Sequence, residues 1–287
     1  MDLMEENKFK ILEWNINHRQ GYSSKNMPEW VATVIREDHA DADIIILTEC
    51  SSNVPNWETI KKSMFAEKYL VFESFNNQGH QNDVVIAIKK ERFSVKYTRS
   101  HYSASPDTAD HLEIKCKIKG GKEDKEDKEL TVIGMRIHSY DKVTDANDKK
   151  KRNAFQSIIN DVKNDKIVVI GGDLNNYRRG CTRQNWCLGQ IDKICQENGF
   201  MRYTPQGSSI YEEKEGEDPY AFAEDHFIVK GIEAVQLLSY DRSFVNKDTT
   251  IYRWGENFQI RLEGNNYDHI DDPYPDHAIL MAEITIP

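Results

Sequence analysis

Much of this chain alternates apolar and polar residues in the rhythm of half-buried strands, broken by stretches with helical spacing. Residues 9–17, FKILEWNIN, read as a first strand that runs into a polar cluster. Asn26 then has the character of an N-cap, with Pro28 just inside the helix. Met27, Trp30, Val31, Val34 and Ile35 follow at i, i+3, i+4, i+7 and i+8, which predicts an amphipathic helix. ADIIILTEC (42–50) is a buried strand whose apolar run stops at Thr48 and Glu49. Trp57, Ile60 and Met64 predict a shorter helix, and YLVFESF and DVVIAIKK predict a hairpin-like pair of strands. FSVKYTRS and HLEIKCKIKG continue the strand pattern, and residues 120–130, GGKEDKEDKEL, read as a solvated hairpin tip. LTVIGMRIHSYD is a strand running out into His138, followed by a helix marked by Phe155, Ile158, Ile159 and Val162. NDKKKR (147–152), before those apolar positions, reads as a solvated helix end.

The stretch that organises the rest is KIVVIGGDLNN, 166–176. Its β-branched run suits a strand buried on both faces, in the centre of a sheet. Gly171 and Gly172 are expected to turn the backbone, so that Asp173 and Asn175 emerge at the strand's C-terminal end, where α/β sheets place ligands. Cys187, Ile191, Ile194 and Cys195 mark another helix, stopped at Asn198-Gly199. Residues 203–223 are loop-like. EDHFIVKG, AVQLLSYD and ILMAEITI are three more strands, the last preceded by YPDH.

Strand patterns continue across the midpoint with no repeat, linker or compositional break, so residues 1–287 are expected to form one α/β domain. Aromatic content of 10% excludes a disordered chain, and no apolar run reaches membrane-spanning length. The acidic start, MDLMEENKFK, lacks the features of a signal peptide, and a cytoplasmic location is expected. Five cysteines without a CxxC pair read as buried thiols. A net charge of −10 opposes indiscriminate binding of polyanions, although a local basic patch still acts within a Debye length of roughly 8 Å.

Polar residues suited to phosphoryl chemistry recur at the strand ends: Asn15, Glu49, His138, Asp173, Asn175, Asp225, Asp276 and His277. Carboxylates ligate hard cations and accept protons, and amides donate to anions without adding charge. At these residues the sequence resembles the endonuclease/exonuclease/phosphatase superfamily. That group includes pancreatic-type deoxyribonuclease, abasic-site endonucleases, deadenylases, tyrosyl-DNA phosphodiesterases, neutral sphingomyelinases and inositol polyphosphate 5-phosphatases. The matching pieces are WNIN (14–17), TE (48–49), IHS (137–139), GDLN (172–175), EDHFIV (224–229) and PDH (275–277), in the family's order along nearly the whole chain. Three positions depart from the family's pattern: Thr48 stands where Gln is usual, Pro275 where Ser is usual, and Asn17 where many nucleases have Asp.

The resemblance implies a DNase I-like fold, a four-layer α/β/β/α sandwich of two mainly antiparallel sheets flanked by helices. It implies Mg²⁺ or Mn²⁺ held by Glu49 with Asn15 and Asp276. It further implies that Asp173 orients or deprotonates the attacking water, that Asn175 holds a phosphate oxygen, and that Asp225 fixes His277 as proton donor. His138 would contact the scissile phosphate, with Asp83 or Glu73 as its partner. Arg178, Arg179 and Arg183, in YRRGCTRQ after the central motif, are candidates for holding substrate phosphates, and His18, Arg19 and Arg136 extend that face.

The reading is therefore a divalent-metal-dependent phosphodiesterase, a nuclease acting on DNA or RNA. Within the same fold the alternative is an inositol or lipid phosphatase or a sphingomyelinase-like phosphodiesterase, against which stands the lack of an apolar insertion hairpin or lipidation motif. A binding module with a retired active site is the second alternative, and the retained clustered carboxylates argue against it. No GxxxxGK[ST], HExxH, GxSxG or GxGxxG points to other chemistry.

Overall fold

In the computed structural model, residues 7–18, 26–27, 29–50, 54–74, 83–101, 110–119, 128–140, 143–176, 185–210, 223–241 and 277–287 are described. The first half runs Lys8–His18 (β1), Glu29–Thr33 (α1), Ile44–Cys50 (β2), Trp57–Phe65 (α2), Tyr69–Glu73 (β3), Asp83–Lys89 (β4), Phe93–His101 (β5) and Asp110–Ile118 (β6). The second runs Glu129–Arg136 (β7), Asp145–Val162 (α3), Val168–Asp173 (β8), Leu188–Glu197 (α4), Met201–Tyr203 (β9), Asp225–Lys230 (β10), Ala234–Asp241 (β11) and Ile279–Thr285 (β12). The strands form two six-stranded sheets, ordered β11-β12-β1-β2-β4-β3 and β5-β6-β7-β8-β10-β9. Among the described residues, β1–β2 and β7–β8 pair in parallel and the other strand neighbours antiparallel.

The register shows why one end of this sandwich becomes polar. Side chains paired across neighbouring strands share a face. Glu13 pairs with Ile46 and Asn15 with Thr48, while Gly134 pairs with Gly171, which also pairs with Phe227. A Cβ on Gly134 would lie 2.6 Å from Val84 and 2.7 Å from Ile46, and one on Gly171 would lie 2.9 Å from Ile46. These two glycines are therefore the floor on which the first sheet rests, and their faces point at each other. Along the inward faces the sequence runs Ile11, Glu13, Asn15; Ile44, Ile46, Thr48; Val132, Gly134, Arg136; Val169, Gly171, Asp173; and, from the other direction, Val229, Phe227, Asp225. Each column begins apolar and finishes polar at the same end.

The outer face of the second sheet is covered by α3 and α4. Phe155, Ile158, Ile159, Val162, Ile191 and Ile194 pack there with Met135, Val168, Ile170 and Ile228. On the other side α1 and α2 bury Val31, Trp57, Ile60 and Met64 in the core of the first sheet. Together these layers give the expected sandwich.

Several local expectations change. The helix that the spacing predicts after Asn26 is short, and it passes at Val34–Asp38 into a π-helical turn that still buries Val34 and Ile35. Pro28 and the Trp30 side chain lie outside the described residues, as do residues 120–127 of the acidic hairpin tip. Gly171 and Gly172 do not turn the chain: β8 runs straight through them to Asp173, and the left-handed residue comes after it, at Asn175 with φ 44°. Their role is steric, since a Cβ on Gly172 would meet the Met135 carbonyl oxygen at 1.9 Å. Cys50, Cys116 and Cys195 are buried thiols as expected, but Cys187 is disulfide-bonded. NDKKKR is no solvated end, because α3 starts at Asp145 and turns Asp148 and Lys151 inward.

Candidate active site

The polar ends of the inward columns meet through hydrogen bonds. Asp173 is buried at the end of β8, and its two oxygens take three donors. Oδ1 accepts from the Asn175 backbone N–H at 2.7 Å; Oδ2 accepts from the Asn175 amide at 2.7 Å and from Asn15 Nδ2 at 3.2 Å. The last of these joins the two sheets. The Asn175 amide also donates to the Ile137 carbonyl at 2.8 Å, which occupies both its protons. In this arrangement Asn175 orients Asp173, and meeting a phosphate would require exchanging one of those bonds.

On the next inward column, Asp225 Oδ2 lies 2.8 Å from His277 Nδ1. Trp14 Nε1 donates to the His277 carbonyl at 3.1 Å, and Ser209 Oγ accepts from the backbone N–H groups of Glu224 and Asp225 at 2.8 and 3.1 Å. Strand β1 and the Ser209 loop thus hold the two ends of this pair. Glu49 accepts from Arg136 Nε at 2.5 Å, both side chains being buried, and the same nitrogen is 4.0 Å from Asp173 Oδ2. Arg136, expected among the substrate-facing basic residues, is instead the internal counter-ion of Glu49. Asn17, Glu49 and Asn175 all have φ between 44° and 49°, the left-handed region that side chains other than glycine rarely adopt.

Among the described residues the site is short of positive charge. Glu13, Glu49, Asp173, Glu224 and Asp225 share it with Arg136 and Lys151. Burial, and then the neighbouring Asp225, push the Glu13 carboxyl well above the usual range. Burial followed by Asp173 does the same to Glu224. For Asp173 burial is the largest cause, His277 opposes it and Asp225 adds to it, and the result is a carboxyl pushed up to about 7. Glu13 Oε2, Asn17 Oδ1 and Asp225 Oδ1 are buried acceptors with no hydrogen-bond donor among the described residues. One oxygen each of Asp173 and Glu224 and a nitrogen of His277 lie within 4.8 Å of one another. An oxygen-rich set with surplus negative charge and orphaned acceptors fits a divalent cation.

Of the residues singled out in the sequence, Asn15, Glu49, Asp173, Asn175, Asp225 and His277 come together here. His138 follows Ile137, whose carbonyl holds Asn175. Of the two partners expected for it, Glu73 is engaged by Lys61 at 2.7 Å and Asp83 is buried at the start of β4. Asp276, Arg178, Arg179, Arg183, Arg19 and the His18 side chain lie outside the described residues. The sequence reading gave no role to Glu13, Lys151, Ser209 or Glu224. Glu13 shares the alternation of Asn15, and Glu224 adjoins Asp225, so both signals were present. Thr48 donates to Glu13 Oε1 at 3.1 Å, which gives the departure from Gln a local partner.

A model of the endonuclease/exonuclease/phosphatase family matches residues 12–271. The chain belongs to this family. Family members are hydrolases acting on phosphoester bonds and typically depend on divalent metals. Solved structures with the same fold include truncated TDP2 from Caenorhabditis elegans, at 13% identity and a TM-score of 0.63 over 97% of each chain. A family protein from Bacteroides thetaiotaomicron reaches 0.62 at 10% identity over 98% of each chain. ANGEL2, described as a 2',3'-cyclic phosphatase and solved with adenosine-2',3'-vanadate, reaches 0.56 at 12% identity over 97% of this chain and 96% of its own. No curated protein compared with the sequence matches it. Among the described residues no helix is long and apolar enough to cross a membrane.

Proposed function

We propose that this family member is a divalent-metal-dependent phosphodiesterase, specifically a nuclease that hydrolyses DNA or RNA by in-line attack of water. The observation that carries the reading is the junction of Asn15, Asp173 and Asn175, beside the Asp225–His277 pair, at the shared polar end of both sheets. Glu49 and Asn15, with Asp276, would hold Mg²⁺ or Mn²⁺, and the bound cation would supply Lewis-acid neutralisation of the phosphate's charge.

The chain's own residues account for the proton transfers. Asp173 would accept the proton from water, and its three N–H contacts fix the direction of that acceptance. Asp225 holds the Nδ1 side of His277, so the imidazole keeps one orientation and presents its other nitrogen to the reacting group. His138 would meet the scissile phosphate, and Arg178, Arg179 and Arg183 would hold flanking phosphates, so the local partner is nucleic acid despite the net charge of −10.

The test is hydrolysis of labelled DNA, labelled RNA, bis(p-nitrophenyl) phosphate, inositol phosphates and adenosine 2',3'-cyclic phosphate with Mg²⁺ or Mn²⁺, beside EDTA and Asp173→Asn controls. Metal-dependent cleavage of DNA or RNA supports the proposal. Turnover of inositol phosphates or the cyclic phosphate alone refutes the nuclease assignment within the family chemistry, and no turnover of any substrate supports a binding role.

A further inference from the structure

Four basic residues, Lys149 to Arg152, follow one another in α3, yet they face different surroundings. Lys149 is exposed, Lys150 and Arg152 are half-buried, and Lys151 is only 3% exposed. The helical phase explains this. Thr144 caps α3, its hydroxyl oxygen accepting from the Asn147 N–H at 3.2 Å. From that start, Asp148, Lys151, Phe155, Ile158, Ile159 and Val162 fall on the inward face. A lysine in such a row costs desolvation unless its ammonium is engaged.

Lys151 Nζ donates to the backbone carbonyl of Asn175 at 2.7 Å. Asn175 is one of the three left-handed residues of the site, with φ 44°. Its N–H and its amide are committed to Asp173 and Ile137, so its carbonyl is the remaining handle on the turn, and Lys151 takes it. Glu224, Asp173 and Asp148 favour the charged ammonium, Arg136 opposes it, and the Tyr140 ring lies 5.8 Å from Nζ. Burial outweighs these and brings the ammonium down to about 8.

We propose that Lys151 is a positioning residue of the site: its buried ammonium holds the Asn175 carbonyl and so fixes the left-handed turn that presents Asp173. The catalytic consequence rests on the hydrolase reading above, whereas the holding of the turn does not. Losing this contact frees a turn whose displacement by about 1 Å is enough to slow turnover roughly 10²-fold.

The test compares the full-length wild type with Lys151→Met and Lys151→Arg. Without metal or substrate, hydrogen exchange of amides 174–176 is expected to quicken about tenfold or more in Lys151→Met, with no change in β7 or β8 and recovery in Lys151→Arg. In turnover of bis(p-nitrophenyl) phosphate, Lys151→Met should lower kcat about 10- to 100-fold with KM held within about twofold. The alkaline limb expected near pH 8 in the wild type should move upward in Lys151→Arg, because a guanidinium does not deprotonate there. If Lys151→Met does not fold, wild-type exchange at 174–176, corrected for intrinsic rates, should still rise between pH 7 and 9.5. Unchanged exchange in Lys151→Met, or a flat corrected wild-type profile in its stead, overturns the inference. A wild type inactive on every phosphoester refutes the hydrolase reading, and the exchange measurements then decide the role of Lys151 by themselves.

Discussion

Replacing Asp173 by Asn should stabilise the metal-free protein at neutral pH while removing its activity. The folded carboxyl is pushed up to about 7, against about 3.9 in an unfolded chain. The folded state therefore holds the proton more tightly, so the contribution of Asp173 to stability falls as pH rises from about 4 to about 7. Three pKa units correspond to about 4 kcal/mol, an upper figure because Asp173 titrates together with Glu13 and Glu224. At about 2–4 °C per kcal/mol the shift is on the order of 10 °C. Asn has a single acceptor oxygen: placed where Oδ2 stands it can still take both amide donors, but its NH2 then faces the Asn175 N–H, so the variant loses a hydrogen bond at every pH and the diagnostic quantity is the pH dependence of the difference. That difference also removes His226, whose depressed pKa makes stability rise with pH in both proteins as pH passes through the ordinary histidine range. Urea unfolding in EDTA at pH 4.5, 6 and 8 should show Asp173→Asn gaining steadily on the wild type, and Mg²⁺ should close the gap at pH 8 far more than at pH 4.5. A gap constant over this range would show that Asp173 is not a strained carboxylate and would refute the electrostatic account of the site.

Asp225→Asn should lower kcat about 10²- to 10⁴-fold, because His277 loses its fixed orientation, while circular dichroism and the melting temperature stay near wild type. Arg136→Met removes the buried counter-ion of Glu49 and should cost about 3–5 kcal/mol in EDTA by urea unfolding, with a smaller loss in Mg²⁺. Gly134→Ala should cost about 1–3 kcal/mol through contact with Val84 and Ile46. Gly172→Ala should yield no soluble folded protein on expression, because its Cβ would meet the Met135 backbone, which cannot step aside.

The sandwich was legible because its strands carry their burial in the residue pattern: Ile44–Leu47 and Val168–Ile170 are fully buried, as their β-branched runs require. The convergence of Asn15, Glu49, Asp173 and Asp225 was legible because these residues stand where those runs stop. What stayed hidden depends on phase and partners. Lys151 was hidden inside a run of basic residues, although its spacing from Phe155 and Ile158 put it on the apolar face. Arg136 looked like a phosphate ligand because a sequence shows a charge and not the Glu49 that neutralises it. Gly171 and Gly172 were read as a bend because glycine serves both sharp turns and close packing, and only the other sheet distinguishes the two. The three-residue β9 offers too short a pattern to detect.

Strain and surplus charge occur at the same place for a physical reason. Asn17 and Glu49 adopt left-handed φ where the pairings of β1 with β2 and β2 with β4 slip out of register, so the irregularities that end the ladder also aim side chains of the candidate site. A left-handed Glu costs on the order of 1–3 kcal/mol and persists only when its surroundings over-determine it. Here the apolar columns behind it supply that constraint, with Ile46 seated on Gly134 and Gly171 and Phe227 packed against Gly171. The rigid end of each column thus holds its polar end in a conformation that the local sequence would not choose. Relief of that charge surplus by a cation is then available only in the folded state, which couples metal affinity to the integrity of the inter-sheet core. A cavity made in that core, far from any proposed ligand, is therefore expected to lower apparent Mg²⁺ affinity once urea or heat unfolds a measurable fraction of the chain, and Mg²⁺ to raise the unfolding midpoint of that variant.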